Sequence, residues 1–276
     1  MKYYLYNSLS NNGIKPSFLD EVAQVENNEI KEIIDLDYQT FLTSLKEDDE
    51  IVIVGGDGTI NYFINEIKDL NITNNIYFRA AGTGNDFSND IERVDGEEVL
   101  INKYLENLPT VYVKELEKKF INGVGYGIDG YCCQVADEIK RKNPNKKINY
   151  TGIAIKGLLF FFKRTKALIT VDGKTYEHQN VWLAPTMKGR FYGGGMMIAP
   201  NQNRFSEEVS VVVFKSKSKL KTLMIFPSIF KGEHIKKNKN VFIYSGKEIE
   251  VKFDKPTALQ IDGETVLDVL EYKVKA

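Results

Sequence analysis

Long apolar runs are missing from this 276-residue sequence. The most lipid-like stretch, Ile153–Phe162, is broken by Lys156 and falls far short of the ~20 residues that a bilayer-crossing helix needs. Cysteine is almost absent. The only two, Cys132 and Cys133, are adjacent, a spacing that suits neither a metal knuckle nor a structural disulfide. The two histidines, His178 and His234, stand apart from other ligand-type residues and receive no role. The opening Met1–Asn7 has neither the apolar core nor the small-residue cleavage site of a secretory signal, and no segment is of low complexity. A folded, cytoplasmic protein is expected.

What is present is a charge segregation that the net charge of -1 conceals. Counted over Lys, Arg, Asp and Glu, residues 1–130 carry 11 basic and 24 acidic side chains, and residues 131–240 carry 21 and 7. Such a basic segment suits an anionic partner, a membrane surface or a nucleic acid, or else is a solvated face. The chain exceeds what one compact core usually holds, so two domains are expected.

The first hundred residues alternate between strand-like and helix-like patterns. Lys2–Tyr6, Ile30–Asp35, Ile51–Val54 and Ile76–Ala80 read as strands, with Ser17–Asn27 and Tyr38–Leu45 as helices. Ile51–Val54 is a β-branched run of the kind buried on both faces of a parallel sheet. After it, Ile60, Phe63, Ile64 and Ile67 fall at helical spacing. Beyond Pro109 the pattern changes to β-branched and aromatic runs: Val111–Leu116, Ala167–Val171, Val181–Ala184, Val209–Phe214, Val241–Tyr244, Ile249–Phe253 and Ala258–Ile261. Helical interludes are expected at Tyr131–Arg141 and Tyr150–Lys163, and hairpin turns at Asp172-Gly173 and Ser245-Gly246. Trp182 is read as a strand core residue.

Between the Ile51–Val54 strand and its helix lies Gly55-Gly56-Asp57-Gly58-Thr59. Such a turn lets backbone approach phosphates closely, with amide donors and the positive helix end aimed at them. Asp57 repels phosphate, so its natural counterpart is a Mg²⁺ that accompanies a nucleotide. An Asp-Gly turn without function is the bland alternative.

That run, followed by Asn61 and Asn65, resembles the nucleotide turn of the diacylglycerol and sphingosine kinase superfamily. NAD kinases and phosphofructokinases resemble it here too. Gly82-Thr83-Gly84-Asn85-Asp86-Phe87 is similar to the superfamily's second nucleotide motif. The Thr-Pro-Thr-Gly-Ser-Thr-Ala-Tyr stretch of NAD kinases has no counterpart, which favours the lipid branch. Asn122–Asp129 resembles the segment whose aspartate supports the active site, Phe191–Met196 with Pro200 the glycine-rich loop, and Ile261-Asp262-Gly263-Glu264 the C-terminal catalytic signature. The sequence departs from the family at Asn7–Ser10, at Tyr62, at Arg79-Ala80 and at Ser206–Ser210, the last leaving a second, structural Mg²⁺ unexpected.

The resemblance implies an N-terminal three-layer α/β nucleotide domain, NAD kinase-like, over residues 1–110. It implies a C-terminal antiparallel β-sandwich domain over 111–265, with the tail 266–276 packing back on the first domain and a cleft between the two. It implies ATP and Mg²⁺ as cofactors and a lipid hydroxyl as acceptor, diacylglycerol or a relative. Glu264 is the implied general base, with Asp262 beside it and Asp57 as third catalytic residue. Gly55, Gly56, Asp57, Gly58, Thr59, Asn61, Gly82, Thr83, Gly84, Asn85 and Asp86 would hold the nucleotide, and Asp57 with Asp129 the metal.

A lipid kinase must also reach its lipid, and peripheral contact with an anionic membrane is expected through the basic segment 131–240. The apolar insertions would come from Gly157–Phe162 and from Leu223–Phe226 with Ile229-Phe230, both flanked by lysines. Ordinary core burial is the competing reading of both. A soluble NAD kinase-like small-molecule kinase and a catalytically silent lipid-binding regulator are the alternative functions. No nucleic-acid-binding motif is present, and a homodimer is left open.

Overall fold

The computed structural model describes residues 1–8, 15–81, 85–93, 96–143, 146–236 and 239–276. It comprises two compact units, Met1–Glu106 and Asn107–Ala276.

The first unit runs β1 (Lys2–Tyr6), α1 (Phe18–Val22), β2 (Asn28–Glu32), α2 (Tyr38–Ser44), β3 (Glu50–Gly55), α3 (Asp57–Glu66), β4 (Asn75–Ala80), α4 (Asp86–Asp90), β5 (Val99–Leu100) and α5 (Asn102–Leu105). The sheet order is β2-β1-β3-β4-β5, parallel except for the antiparallel edge strand β5. The central strand β3 is the β-branched run, and Ile51, Val52, Ile53 and Val54 are wholly buried. Alternation explains why all four are apolar. Val52 and Val54 pack with Tyr4, Tyr6 and the α1 residues Leu19 and Val22, while Ile51 and Ile53 point to the opposite, equally covered face. The helix expected over Ser17–Asn27 is real only as far as Val22, where turns take the chain to β2.

The second unit runs β6 (Thr110–Val113), β7 (Leu116–Lys119), β8 (Gly123–Tyr126), α6 (Ile128–Lys142), α7 (Tyr150–Lys156), a π-helical turn (Gly157–Phe161), β9 (Thr165–Val171), β10 (Lys174–Leu183), β11 (Thr186–Met187), β12 (Phe191–Tyr192), β13 (Met196–Met197), β14 (Val209–Lys215), α8 (Lys219–Ile229), a 3₁₀ turn (Glu233–Lys236), β15 (Val241–Gly246), β16 (Glu248–Ile261) and β17 (Glu264–Lys275). β16 pairs with β8 through its second half and with β9 through its first, so β16-β8-β11-β14-β10-β9 closes on itself. From β16 the antiparallel strands β17, β6 and β7 continue outward. The interior holds Val124, Tyr126, Ile169, Val211, Val213, Val251, Phe253 and Leu259, with Tyr126 stacked on Phe253 at 3.9 Å between ring centres. The alternate residues Val212 and Phe214 of β14 join Trp182, Ile225 and Ile229 in a second cluster formed with α6, α7 and α8. Trp182 is fully buried there.

Three expectations change. The tail 266–276 lies in β17, paired with β16 and β6, and so belongs to the sheet of the second unit. Ser245-Gly246 ends a strand rather than turning a hairpin, because β15 pairs with β14 while β16 leaves for β17 and β9. The helix expected from Tyr150 to Lys163 is α-helical only to Lys156 and then widens into the π turn. Asp172-Gly173 does turn a hairpin, between β9 and β10, with both φ positive (46° and 82°).

Candidate active site

In the first unit the turn after β3 is dictated by a close approach. A Cβ on Gly55 would sit 2.2 Å from the hydroxyl of Thr59, which α3 buries, so only glycine ends this strand. Gly56 caps α3, and Asp57 is its first residue. The Asp57 carboxylate points across to the second motif: Oδ2 accepts the N–H of Asp86 and Oδ1 that of Phe87, both at 2.9 Å. These are the first two amides of α4, which no intrahelical carbonyl satisfies. Asp57 therefore ties together two sequence motifs that lie thirty residues apart. Asn61 is buried beside it, and Asn65 Nδ2 donates to the Asn61 carbonyl at 2.8 Å. Asn85 precedes α4 and Asp86 opens it; Gly82, Thr83 and Gly84 lie outside the described residues.

In the second unit Asp262 and Gly263 form the two-residue turn between β16 and β17, with φ of 44° and 98°. The Asp262 carboxylate faces inward. Oδ2 accepts the Ile121 N–H at 2.6 Å, and Oδ1 accepts those of Asn122 and Gly123 at 2.9 Å each. Three amides on one carboxylate make Asp262 a fastener for the hairpin. Glu264, two residues on, is exposed and pairs with the Lys118 ammonium on β7. Lys118 was invisible to sequence reasoning, since a lysine 146 positions away carries no signal for it.

Asp129 opens α6 and is buried, with 8% of its surface exposed. A Cβ on Gly125 would fall 1.6 Å from its Oδ2 and 2.5 Å from Gln260 Nε2, so position 125 of β8 accepts no side chain. Tyr192 and Gln260 face the carboxyl, yet neither oxygen has a hydrogen bond of good geometry. Burial pushes the Asp129 pKa up to about 6, against the partial relief from the Gly130 amide, Tyr192 and Gln260. A carboxyl enclosed in this way is poorly suited to the metal-ligand role the resemblance implies. Asp57 is the other carboxylate the resemblance implies for it, and its side chain is held at the turn by the amides of Asp86 and Phe87. Among the described residues no cluster of three or more His, Cys, Asp or Glu could hold a metal alone.

The raised pKa makes a stability prediction. Between pH 4 and 6 the folded chain binds the Asp129 proton more tightly than the unfolded chain, so stability falls as pH rises through this window. Asp129→Asn removes that penalty. The variant is expected to gain on the order of 2–3 kcal/mol over the parent at pH 8 and little at pH 4, read from thermal unfolding of both proteins across the range.

The fold defines the class: a parallel α/β unit with a pinned glycine turn after its central strand, followed by an antiparallel β unit. Comparison with known proteins agrees. Residues 3–112 match the diacylglycerol kinase catalytic domain, and residues 122–271, more than half of the chain, match the YegS C-terminal NAD kinase beta sandwich-like domain. This chain belongs to the diacylglycerol kinase-like family of kinases. YtlR of Bacillus subtilis, whose name marks it as a candidate lipid kinase, is 26% identical over 234 residues, covering 78% of this chain and 73% of YtlR. A Mycobacterium tuberculosis protein named diacylglycerol kinase is 25% identical over 198 residues, 69% of this chain and 62% of its own length. A crystal structure described as a diacylglycerol kinase from Bacillus anthracis superposes over 99% of this chain and 93% of its own, with a TM-score of 0.68 at 19% identity.

Proposed function

We propose that this protein is an ATP-dependent lipid kinase that transfers the γ-phosphoryl group to the hydroxyl of diacylglycerol or a related lipid. The observation that carries the reading is the Asp57 carboxylate bound to the amides of Asp86 and Phe87, which joins the two nucleotide motifs of a diacylglycerol kinase catalytic domain into one structure. Gly55, Gly56, Gly58 and Thr59, with Asn61, Asn85 and Asp86, surround the phosphates in this reading. Mg²⁺ arriving with ATP supplies charge neutralisation on the phosphate oxygens, and Asp57 is the side chain that would hold it. A lipid alcohol is a weak nucleophile, and Glu264 is the carboxylate that accepts its proton. Lys118 pairs with Glu264 and holds it in place, and Asp262 fixes the turn it leaves from.

The positions of the two suspected segments support a membrane-facing reading. Each is divided between core and surface. Leu158 is buried and Phe162 packs on the core, while Phe160 and Phe161 are 71% and 58% exposed. In α8, Ile225, Phe226 and Ile229 are buried, while Leu220 and Met224 are 68% and 61% exposed. The Lys219 ammonium on α8 donates to the Leu159 carbonyl, so the two exposed sets lie on neighbouring elements. Flanked in sequence by Lys156, Lys163, Lys217 and Lys221, they form the face we assign to an anionic bilayer. No described helix is long and apolar enough to cross a membrane. Phe160→Asp/Phe161→Asp is expected to lose at least tenfold in co-sedimentation with phosphatidylglycerol-containing liposomes, with an unchanged melting temperature because both rings already face solvent. Binding equal to the parent's would remove this face from the proposal.

The test of the central reading is ATP turnover in mixed micelles carrying diacylglycerol, a sphingoid base, an isoprenoid alcohol or no lipid. Turnover that depends on one lipid is expected. Turnover that responds to NAD⁺ instead would move the protein to the soluble small-molecule alternative, and ATP binding without any turnover to the regulator.

A further inference from the structure

Among the described residues of the second unit two cations are buried, Lys188 with 2% of its surface exposed and Arg204 with 7%. Lys188 Nζ donates to the Ser206 carbonyl at 2.9 Å, and burial, reinforced by Arg204, lowers its pKa. Arg204 donates through Nη1 to the carbonyl of Ile121 and through Nη2 to Asn122 Oδ1 at 3.0 Å. The Ile121 carbonyl and the Asn122 N–H belong to one peptide group, and that N–H is donated to Asp262. A single amide is thus held between a guanidinium at its oxygen and a carboxylate at its nitrogen. Each bond polarises the amide in the sense that strengthens the other, more so away from water. Asn122 is fixed at its remaining acceptor as well, its carbonyl taking the N–H groups of Lys188 and Gly189 at 2.9 and 3.1 Å.

We propose that Arg204 is a positioning residue for Glu264, acting through the amide-bridged pair Arg204–Ile121/Asn122–Asp262. Arg204 immobilises residues 121–123. Their three N–H groups immobilise the Asp262 carboxylate, and Asp262 opens the two-residue turn from which Glu264 projects. Arginine is required because two acceptors on adjacent residues are met by one planar fork, which a lysine ammonium cannot reproduce. The inference rests on the reading of Glu264 as the base.

The experiment pairs hydrogen exchange with kinetics on Arg204→Met, Arg204→Lys and Asn122→Ser, the last two being mild enough to keep a folded protein if the first does not. In Arg204→Met the amides of Ile121, Asn122 and Gly123 are expected to lose protection while those of β3 keep theirs. With diacylglycerol in mixed micelles, kcat is expected to fall on the order of a hundredfold, the loss a misplaced catalytic group produces, with KM for ATP unchanged. Arg204→Lys and Asn122→Ser should lie between that variant and the parent. Unchanged protection at 121–123 overturns the clamp whatever the acceptor lipid turns out to be. Lost protection with parental kcat overturns its link to Glu264. Full activity of Glu264→Gln sinks the base reading instead, and leaves the exchange result standing by itself.

Discussion

Glu264→Gln is expected to lower lipid-dependent ATP turnover by roughly 10²–10⁴-fold, the range contributed by a positioned general base. The amide keeps the size of the carboxylate and places a neutral group beside Lys118, so it removes proton acceptance with little else. Glu264 is exposed and its partner Lys118 lies on an outer strand. Surface ion pairs of this kind contribute little to stability, and the melting temperature should stay within about 2 °C of the parent's. ATP affinity should be unchanged too, since no nucleotide motif lies on β17. This combination separates a base from a structural carboxylate: turnover gone, fold and nucleotide binding intact. Loss of ATP binding in the same variant would mean that Glu264 serves the nucleotide, and a rate within threefold of the parent's would leave the reaction without its proposed proton acceptor.

The regions the sequence made readable are those where the cause is local. The β-branched run Ile51–Val54, the glycines after it and the helical spacing from Ile60 to Ile67 are contiguous, and β3, the turn and α3 form where they predict. Long β-strands were harder. Ile249–Phe253 and Ala258–Ile261 read as two strands because Lys255-Pro256 resembles a break; β16 runs through it, and the register against β17 shifts there to accommodate a residue that cannot donate. Helix α8 was read only as apolar segments, since Pro227 lies inside it and its apolar residues are not confined to one stripe. The site divides along the same line. The residue types were visible at Asp57, Asp262 and Glu264, whereas their tasks depend on partners 29 to 146 positions away, in the amides of Asp86 and Phe87, those of Ile121–Gly123, and Lys118. An amide has no side-chain signature, so a carboxylate that binds backbone reads in sequence like one that faces a ligand.

Asp57 is where that ambiguity matters most, because two roles converge on one side chain, and substitutions of graded chemistry separate them. Asp57→Ala leaves the amides of Asp86 and Phe87 without their acceptor in a part-buried setting, a loss of about 2–3 kcal/mol for bonds to a charged group. In a unit of this size the melting temperature of the first unit should fall by roughly 10 °C or more. Turnover would vanish as well, and that result alone would not distinguish a fastener from a metal ligand. Asp57→Asn does. Its single carbonyl oxygen can still take one of the two N–H groups, so about half of the stability loss should be recovered, while the negative charge is gone. If Asp57 holds the metal as proposed, Asp57→Asn should bind ATP more than tenfold more weakly in the presence of Mg²⁺ and match the parent in its absence, by calorimetry. If the aspartate only fastens α4, ATP affinity should follow stability, with Asp57→Asn lying midway between parent and Asp57→Ala with or without the metal. Both outcomes keep the geometry of the turn; they differ in whether the charge on Asp57 is addressed to the protein's own amides alone or also to the cation that travels with the nucleotide.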